Sequence, residues 1–390
     1  MTVSSPLFTF FFLLFFLFFS STTSSYNILD FGAKEGGKED CVEAITEAWR
    51  MACNSSSPSN IYVPHGLFLI SKVKLYGPCR NKKMKFKING TLMAPLGYTE
   101  SSEWIAFDSV EGILISGGVL DGRGSSLWDC KLTSAKQCPR GATSLTFTNS
   151  RNIRIKRLTS IDSELFHIVI IRCCNMNLYG LNLIAPKWSP NTDGIHVQMS
   201  TKVRIKKTRI ETGDDCISVG PKTSSLWVES VVCGPGHGIS IGSLGKAEGL
   251  KEEGVQNVTV QKIVFWGSDN GLRIKTWGSN IRGYVKGVIF KHVVMNNVRN
   301  PIIIDQNYCP HNQNCPRKDS RIQISDVKYR NIKGTSASPI AINFDCSPTN
   351  PCKELGMSNI KLTYKNQPAK SLCRHASGNC TGLMIPPSCL

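Results

Sequence analysis

A short apolar segment that recurs from about Gly112 onward constrains the fold of this chain more than any other feature. Each copy alternates apolar and polar positions, is rich in β-branched side chains and is bounded by Gly, Asn, Asp or Ser, as β-strands are. Seven copies, separated by 23, 27, 23, 32, 30 and 34 residues, lie at 153–155, 176–178, 203–205, 226–228, 258–260, 288–290 and 322–324. Such periods indicate the coils of a solenoid.

A second set of strand-like segments follows the first, so each coil is expected to contain several strands. These segments are residues 168–170, 195–197, 217–219, 239–241, 272–274, 302–304 and 340–342. Helical periodicity is almost absent, and the one amphipathic helix, at 41–51, lies where a solenoid cap is expected. We therefore predict an all-β, single-domain right-handed parallel β-helix with a short N-terminal capping helix. A leucine-rich-repeat horseshoe would need a regular Leu and Asn pattern, and a β-sandwich would not explain strands that repeat in phase.

The N-terminus predicts export from the cell. Residues 7–19 are LFTFFFLLFFLFF and small polar residues follow, so we predict a signal peptide at 1–25 and the β-helix domain at 26–390. A retained anchor is the alternative, although so short an apolar run hardly spans a bilayer. In an exported chain, sixteen cysteines indicate disulfides rather than metal ligands or redox thiols. The sequons at Asn54, Asn89, Asn257 and Asn379 suit the same compartment.

The formal net charge of +18 indicates a polyanionic partner outside the cell. An acidic polysaccharide, an anionic lipid surface and nucleic acid all carry suitable charge. Nucleic acid is disfavoured by the signal peptide and by the lack of basic runs interleaved with aromatic residues. We expect no membrane partner and a monomer; the remaining alternative is that the charge only keeps the protein soluble.

Four polar motifs lie in the second strand set. They are NTDGIHV at 191–197, GDDCISVG at 213–220, GPGHGISIG at 234–242 and RIKTW at 273–277. Asp193, Asp215 and His237 are 22 residues apart, and each precedes the first apolar residue of its strand by two positions. If each interval is one coil, the three residues stack on neighbouring strands about 4.8 Å apart. Asp214 adjoins Asp215 at a turn.

Arg273 and Lys275 share one face of a strand one coil further along, because side chains alternate with a period of two. Crowded carboxylates repel one another, so one of them must take a raised pKa and stay protonated. Glycoside hydrolysis needs such a pair, one acid for the leaving oxygen and one carboxylate to activate water or to attack carbon. Arg273 and Lys275 would hold the carboxylate of an acidic sugar.

A purely structural reading stays open for single residues of this group. Asp and Asn at β-helix turns often form Asx turns without any catalytic role. His237, between two glycines, is also consistent with a turn histidine whose hydrogen bonds are satisfied locally.

In this order and spacing, the four motifs resemble the polygalacturonase family of glycoside hydrolases. Further segments similar to plant members, above all to the pollen-type exopolygalacturonase branch, are FGAKEGGKED, FTNSRNIRI, SLG at 243–245, NGL at 270–272, PIIIDQNYCP and KLTYKNQ. The resemblance implies hydrolysis of the α-1,4-galacturonide bonds of pectin in the plant cell wall, with no cofactor or metal. Lys187 and Trp188 depart from the small or acidic residues more usual before SPNTDG, which bears on a subsite.

The resemblance also implies roles for individual residues. Asp214 is similar to the general acid, and Asp193 and Asp215 to the pair that activates water in a single-displacement, inverting reaction. His237 resembles the histidine that supports the acid. The residues that resemble substrate-binding groups are Asn191, Arg273, Lys275 and Tyr308.

Disulfides are also implied by the family, which joins Cys216 to Cys233 behind the acid. Two further local pairs are expected, Cys309 with Cys315 and Cys346 with Cys352. Proximity alone suggests Cys130 with Cys138.

Other functions remain to be separated from this one. Attack at chain ends is favoured only by similarity to the exopolygalacturonase branch, and endo attack is the alternative. A pectate lyase shares the fold and a cationic cleft, but it needs a base at the sugar C5 proton and usually calcium. A non-catalytic pectin-binding wall protein would lose a carboxylate, whereas all three Asp residues are present here.

Overall fold

The computed structural model describes residues 23–97, 102–134, 137–246, 252–310, 313 and 315–390. In chain order its first half contains β1 (Ser24–Asn27), a 3-10 helix (Ile28–Phe31), α1 (Val42–Asn54), β2 (Ser59–Val63), β3 (Leu67–Leu69), β4 (Val73–Tyr76), β5 (Met84–Ile88), β6 (Thr91–Met93), β7 (Glu103–Asp108), β8 (Ile113–Ser116), β9 (Val119–Asp121), α2 (Ser125–Ser134), β10 (Thr143–Thr148), β11 (Arg151–Lys156), β12 (Thr159–Ile161), β13 (Ile168–Ile171), β14 (Cys174–Tyr179) and β15 (Asn182–Ile184).

The second half contains β16 (Ile195–Gln198), β17 (Thr201–Glu211), β18 (Ile217–Val219), β19 (Thr223–Cys233), β20 (Ile239–Leu244), β21 (Glu252–Trp266), β22 (Asn270–Thr276), β23 (Arg282–Val298), β24 (Asn300–Asp305), β25 (Arg321–Ser336), β26 (Ile340–Asp345), β27 (Cys352–Tyr364), β28 (Gln367–Pro368), β29 (Lys370–Arg374) and β30 (Ala376–Ile385). Within the described residues these strands form two sheets, and their pairings are parallel apart from that of β27 with β28.

The nineteen-stranded sheet, here sheet A, contains the first strand set, and the eleven-stranded sheet, here sheet B, contains the second. Sheet B runs in the order β29-β26-β24-β22-β20-β18-β16-β13-β10-β7-β4. Successive coils therefore lie side by side in both sheets, which is the predicted right-handed parallel β-helix. The chain passes from one sheet to the other within every coil, so the two sheets enclose one elongated core.

The core is built from in-register rows of apolar residues. One row from sheet B is fully buried and consists of Ile168, Ile195, Ile217, Ile239, Leu272, Ile302 and Ile342. Burial of each such side chain contributes about 1.5–3 kcal/mol relative to exposure. Because alternate residues point inward, the residues between them must point outward, and this alternation builds the site on sheet B.

The last members of both predicted strand sets were placed in the wrong register. Val288 pairs with Val327 rather than with Ile322, and Ile302 pairs with Ile342 rather than with Ile340. Strand β25 contains two buried alternating stretches on either side of Asp326, whose φ is 50°. Apolar alternation alone could not tell which stretch continues the row.

The helices differ in how well the sequence announces them. The predicted cap is α1, which packs Ile45, Ala48 and Trp49 against the first coils and is tied down by the Cys53–Cys79 disulfide. Helix α2 was not predicted, because its sequence, SSLWDCKLTS, is short and has little periodic separation of apolar from polar residues. In the described part of the chain, no helix is both long and apolar enough to cross a membrane.

The predicted signal peptide lies mostly outside the described residues, which begin at Thr23. Ser24 and Ser25, assigned to that peptide, pair with Ser59 and Asn60 as the first strand of sheet A.

Disulfides join twelve of the sixteen cysteines. The pairs are Cys53–Cys79, Cys130–Cys138, Cys216–Cys233, Cys309–Cys315, Cys346–Cys352 and Cys373–Cys389. The four pairs expected from the sequence are all present. Four residues remain thiols, contrary to the reading of all cysteines as disulfides: Cys41, Cys173, Cys174 and Cys380.

Candidate active site

A row of polar side chains crosses the outer face of sheet B on four neighbouring strands. His196, Ser218, Ser240 and Arg273 occupy the same register position on β16, β18, β20 and β22. Each lies between two buried apolar residues, so strand alternation turns it outward. The three aspartates lie next to this row, and Ser218 and Ser240 donate hydrogen bonds to two of them.

The turns before these strands place the aspartates on successive coils. The register aligns Asp193, Asp215 and His237, as their spacing of 22 residues predicts. The Gly194 amide donates to the Asp215 carbonyl at 2.9 Å, and the Cys216 amide donates to the Gly238 carbonyl at 2.7 Å. These backbone bonds hold the turns one above the other.

Asp215 is buried, with only 2% of its surface exposed, and it is the most heavily paired carboxylate of the site. It accepts hydrogen bonds from Arg273 Nη2 at 2.6 Å, Lys275 Nζ at 2.8 Å and Ser240 Oγ at 2.8 Å. Burial by itself raises the pKa of a carboxyl, but Lys275 and Arg273 outweigh it and lower the pKa of Asp215 to about 2. Asp215 is therefore ionised.

Asp193 is also buried, but within the described part of the chain no cation forms an ion pair with it. Its Oδ2 accepts a hydrogen bond from Ser218 Oγ at 2.6 Å. Burial, followed by the negative charges of Asp214 and Asp215, raises the pKa of Asp193 well above its ordinary value. The pKa values of the two buried carboxyl groups on neighbouring coils are thus shifted in opposite directions.

Asp214 is more accessible and pairs with the imidazole. His237 Nδ1 lies 2.8 Å from Asp214 Oδ1, and Asn191 Nδ2 donates to Asp214 Oδ2 at 3.3 Å. Burial lowers the pKa of His237, but the hydrogen bond and charge of Asp214, with the charge of Asp215, raise it overall. His237 Nε2 also lies 3.8 Å from the exposed carboxylate of Asp269. The Asp214–His237 pair can therefore hold a proton at the mouth of the site.

Arg273 and Lys275 do lie on one strand face, but they contact Asp215 directly. Their side chains are only 11% and 8% exposed. Lys275 Nζ also lies 5.3 Å from the centre of the Tyr308 ring, which packs edge-on against Trp277 at 5.2 Å. The ammonium has three donors, so Lys275 can bind an incoming carboxylate while it keeps Asp215 ionised.

Seven of the eight predicted site residues line one open groove of about 960 Å³; they are Asn191, Asp193, Asp214, Asp215, His237, Lys275 and Tyr308. Arg273 lies beneath them. The groove also contains groups that sequence reasoning did not single out, namely Arg140, Phe166, His196, Gln198, Ser218 and Lys246.

His196 and Ser218 extend the network behind Asp193. His196 Nδ1 lies 2.8 Å from Ser218 Oγ, and His196 Nε2 lies 3.1 Å from Gln198 Oε1. The signal for these residues was present in the second strand set, where the polar residue between two apolar ones is His, Ser, Ser and then Arg. Of these four residues, only Arg273 is among the site residues predicted from the sequence.

The Cys216–Cys233 disulfide closes the coil directly behind Asp215. For a loop of this length, a disulfide contributes about 3 kcal/mol in the chain-entropy model. Gly236 makes the next turn at a φ of 132°, and a β-carbon there would meet the Asp214 carbonyl. The disulfide and the glycine together fix the turn that presents Asp214.

One group of potential metal ligands was found among the described residues: atoms of Asp214, Asp215 and His237 lie within 4.8 Å of one another. However, Asp215 already accepts from two cations, and His237 Nδ1 already bonds to Asp214. The negative charge of this group is therefore balanced by protein side chains.

Residues 53–381 match the sequence model of the family described as Glycosyl hydrolases family 28. A polygalacturonase of Prunus persica is 51% identical over 369 residues, covering 94% of this chain and 93% of that protein. An exopolygalacturonase of Platanus acerifolia is 38% identical over 370 residues, covering 93% and 97% of the two chains.

Two solved structures share the fold. The endo-xylogalacturonan hydrolase of Aspergillus tubingensis has a TM-score of 0.79 at 22% identity, covering 93% of this chain and all of that one. The polygalacturonase of Erwinia carotovora has a TM-score of 0.69 at 24% identity, covering 98% and 99%. At these identities the likeness establishes the β-helix and nothing finer.

Proposed function

Because the chain belongs to glycosyl hydrolases family 28, we propose that it hydrolyses the α-1,4-galacturonide bonds of pectin with inversion at the anomeric carbon. The observation that carries this proposal is the grouping of two buried carboxyl groups, Asp193 on Ser218 and Asp215 on Arg273 and Lys275, beside the accessible Asp214–His237 pair. Such sites provide an acid and a base for the two faces of a sugar ring. The relatives named polygalacturonase support the same substrate.

Asp214 is proposed to protonate the leaving glycosidic oxygen. It is the most accessible of the three carboxyl groups, with a side chain 18% exposed at the mouth of the groove. His237 Nδ1 holds it in place and shares its proton. General acid catalysis of this kind contributes roughly 10²–10⁴-fold to the rate.

Asp215 is proposed to take the proton from the attacking water. Lys275 and Arg273 keep it ionised, and Ser240 fixes its orientation. Asp193, whose pKa is raised by burial, is proposed to bind the same water and complete the pair. The two carboxyl groups therefore titrate as a coupled pair and not independently of each other.

Recognition of an acidic sugar is proposed to rest on the cations that line the groove. Lys275 Nζ lies beside the Tyr308 ring, and Arg273 is fixed by its hydrogen bond to Ser240 Oγ. Lys246 and Arg140 extend the positive lining to either side, and Asn191 supplies an amide next to Asp214. Galacturonate has one carboxylate on every ring, which suits a groove with several separate cations.

We further propose attack at chain ends, with release of galacturonic acid. One support is the exopolygalacturonase relative. The other is the groove end one coil before Asp193, where Phe166 and Arg140 line it. Trp188, which precedes the NTDG turn, packs its ring edge-on against that of Trp128 from α2 at 5.5 Å. These side chains are suited to close the groove against a longer chain, whereas an endo enzyme needs both ends open.

The place of action is proposed to be the plant cell wall, reached by secretion and occupied as a monomer. The apolar N-terminal run, the six disulfides and the plant relatives support export.

The test is to incubate the protein with de-esterified polygalacturonate in excess chelator, to separate the products and to follow the ultraviolet absorbance of unsaturated ends. Early galacturonic acid without absorbance is the expected result. Mixed oligomers with falling viscosity would make the enzyme endo-acting. Unsaturated products would identify a lyase, and no products at all would favour a non-catalytic pectin-binding protein.

A further inference from the structure

The outer face of sheet A contains a regular group of cations far from the groove on sheet B. Three of its strands, β5, β11 and β17, each place two basic residues two positions apart, so both side chains point outward. This cation array consists of Lys85, Lys87, Arg154, Lys156, Arg204 and Lys206.

The array follows the register of the sheet. Lys85 pairs with Leu114, which pairs with Arg154, which pairs with Asn177, which pairs with Arg204. The second row repeats the pattern two residues further along each strand. Cations therefore recur on every second coil, about 9.6 Å apart at the usual strand spacing, with uncharged coils between them.

Most of this charge is not compensated by the protein. Among the described residues, Lys206 is the one member of the array in an ion pair, with Glu229 at 3.2 Å. Lys87 Nζ lies over the Tyr62 ring at 5.4 Å, and Arg154, Lys156 and Arg204 are exposed. An exposed row of like charge raises the free energy of the isolated protein slightly and attracts a polyanion.

Amide side chains accompany the cations and make the surface suitable for a sugar polymer. A shallow groove of about 660 Å³ at the β5–β11 end is lined by Lys83, Lys85, Arg154, Asn152, Asn175 and Asn177, among others. Asn175 Nδ2 donates to Asn152 Oδ1 at 2.7 Å, so the amides form a ladder that can bond to hydroxyl groups.

We propose that the cation array is a second, non-catalytic binding surface for a linear polycarboxylate, namely an unreacted stretch of acidic polysaccharide in the wall. The identity of this polymer rests on the proposed function. A polymer with a carboxylate on every ring matches cations that repeat regularly along the solenoid. Because the array and the groove are on different sheets, one molecule binds a wall chain at each and stays near its substrate between turnovers.

The test compares two triple charge reversals in the Asp214→Asn full-length chain, which cannot degrade its ligand. The array variant is Arg154→Glu, Lys156→Glu and Arg204→Glu. The control variant, Lys353→Glu, Lys361→Glu and Lys370→Glu, has the same net charge but alters exposed residues at the C-terminal end of the solenoid. Binding to immobilised de-esterified polygalacturonate is measured at low and physiological salt.

We expect the array variant to bind on the order of tenfold more weakly than its parent at low salt, and the control variant to lose much less. With Asp214 restored, the array variant should hydrolyse a short galacturonate oligomer at the rate of the unsubstituted protein. Equal losses in both variants would mean that net charge alone drives binding, and no loss in either would also overturn the proposal.

Two further results separate this inference from the proposed function. If the Asp214→Asn chain binds polygalacturonate through the array but the unsubstituted protein hydrolyses no galacturonate oligomer, the proposed function fails and the binding surface stands. If the array retains duplex DNA or vesicles with anionic lipid but not polygalacturonate, the proposed partner is wrong.

Discussion

The outer faces of the two sheets use similar residues in opposite ways. On sheet B, the side chains of Arg273 and Lys275 are 11% and 8% exposed and neutralise a buried aspartate. On sheet A, Arg154 and Arg204 lie on the same kind of parallel ladder, but they are exposed and form no ion pair with any residue that the structure describes. The β-helix supplies the same spacing to both faces.

Burial accounts for the difference between the two faces. In a buried site, the pKa of a carboxyl group is lowered where cations contact it, as at Asp215, and raised where burial dominates, as at Asp193. Exposed charges are screened by solvent and salt, so their energies are small and their value lies in attracting a partner. Crowded buried charge therefore indicates chemistry, whereas regular exposed charge indicates binding.

The largest effect is expected when Asp214, the proposed acid beside sheet B, is replaced. Asp214→Asn is expected to lower kcat on galacturonate oligomers by roughly 10²–10⁴-fold, because the amide cannot protonate the leaving oxygen. The fold should survive, since the change adds no bulk. Asp326→Asn on sheet A is the matched control and should keep parental kinetics; an active Asp214→Asn enzyme would place the acid elsewhere.

Two arginines on the two faces test the role of burial directly. Arg273→Ala removes a buried partner of Asp215 and should lower the free energy of unfolding by about 3 kcal/mol. Arg204→Ala on sheet A should change it by less than about 0.5 kcal/mol. Urea unfolding followed by tryptophan fluorescence measures both, and similar values for the two variants would remove the proposed contrast.

Lys275→Ala should lower kcat/KM by about a hundredfold and raise KM, because substrate and Asp215 lose a shared cation. The pKa of Asp215 should also rise from about 2. Since activity needs ionised Asp215, the acid limb of the pH profile should move to higher pH. Lys246→Ala at the groove rim is the control and should affect KM alone. An unchanged acid limb in Lys275→Ala would contradict the pairing.

Asp193→Asn should inactivate the enzyme and yet stabilise it. The folded state raises the pKa of Asp193, so as pH climbs past about 4 the unfolded chain ionises first and the parent loses stability. The asparagine variant has no such loss. Its melting temperature should exceed that of the parent at pH 7, and the gap should close toward pH 4. A constant gap over that range would mean that Asp193 ionises normally.

Much of the fold, and most of the residues of the site, could be predicted from the sequence. Both follow from the regular spacing of the strand segments along the chain. Strand alternation and intervals of one coil are enough to predict, from the sequence alone, that Asp193, Asp215 and His237 stack on neighbouring coils. The same reasoning misplaced the segments at 322–324 and 340–342, where long loops vary the coil length and β25 offers two equivalent stretches. It also missed α2, a short helix with little periodic separation of apolar from polar residues.

Contacts between side chains were beyond the reach of the sequence. Spacing put Arg273 and Lys275 near the carboxylates, but it did not show that both bind Asp215 and leave Asp193 without a cation. That choice depends on rotamers and on the depth of each turn. The opposite pKa shifts of the two aspartates follow from it, and so does the proposed division of roles.

The central claim is that water, activated at Asp215 on one face of the sugar, displaces a leaving group protonated by Asp214 on the other. Proton NMR of a galacturonate oligomer, recorded during the first moments of cleavage in excess chelator, tests this most directly. Because a single displacement inverts the α-linked anomeric carbon, the new reducing end should appear first as the β anomer and then equilibrate. First appearance of the α anomer, or of an unsaturated sugar, would contradict it.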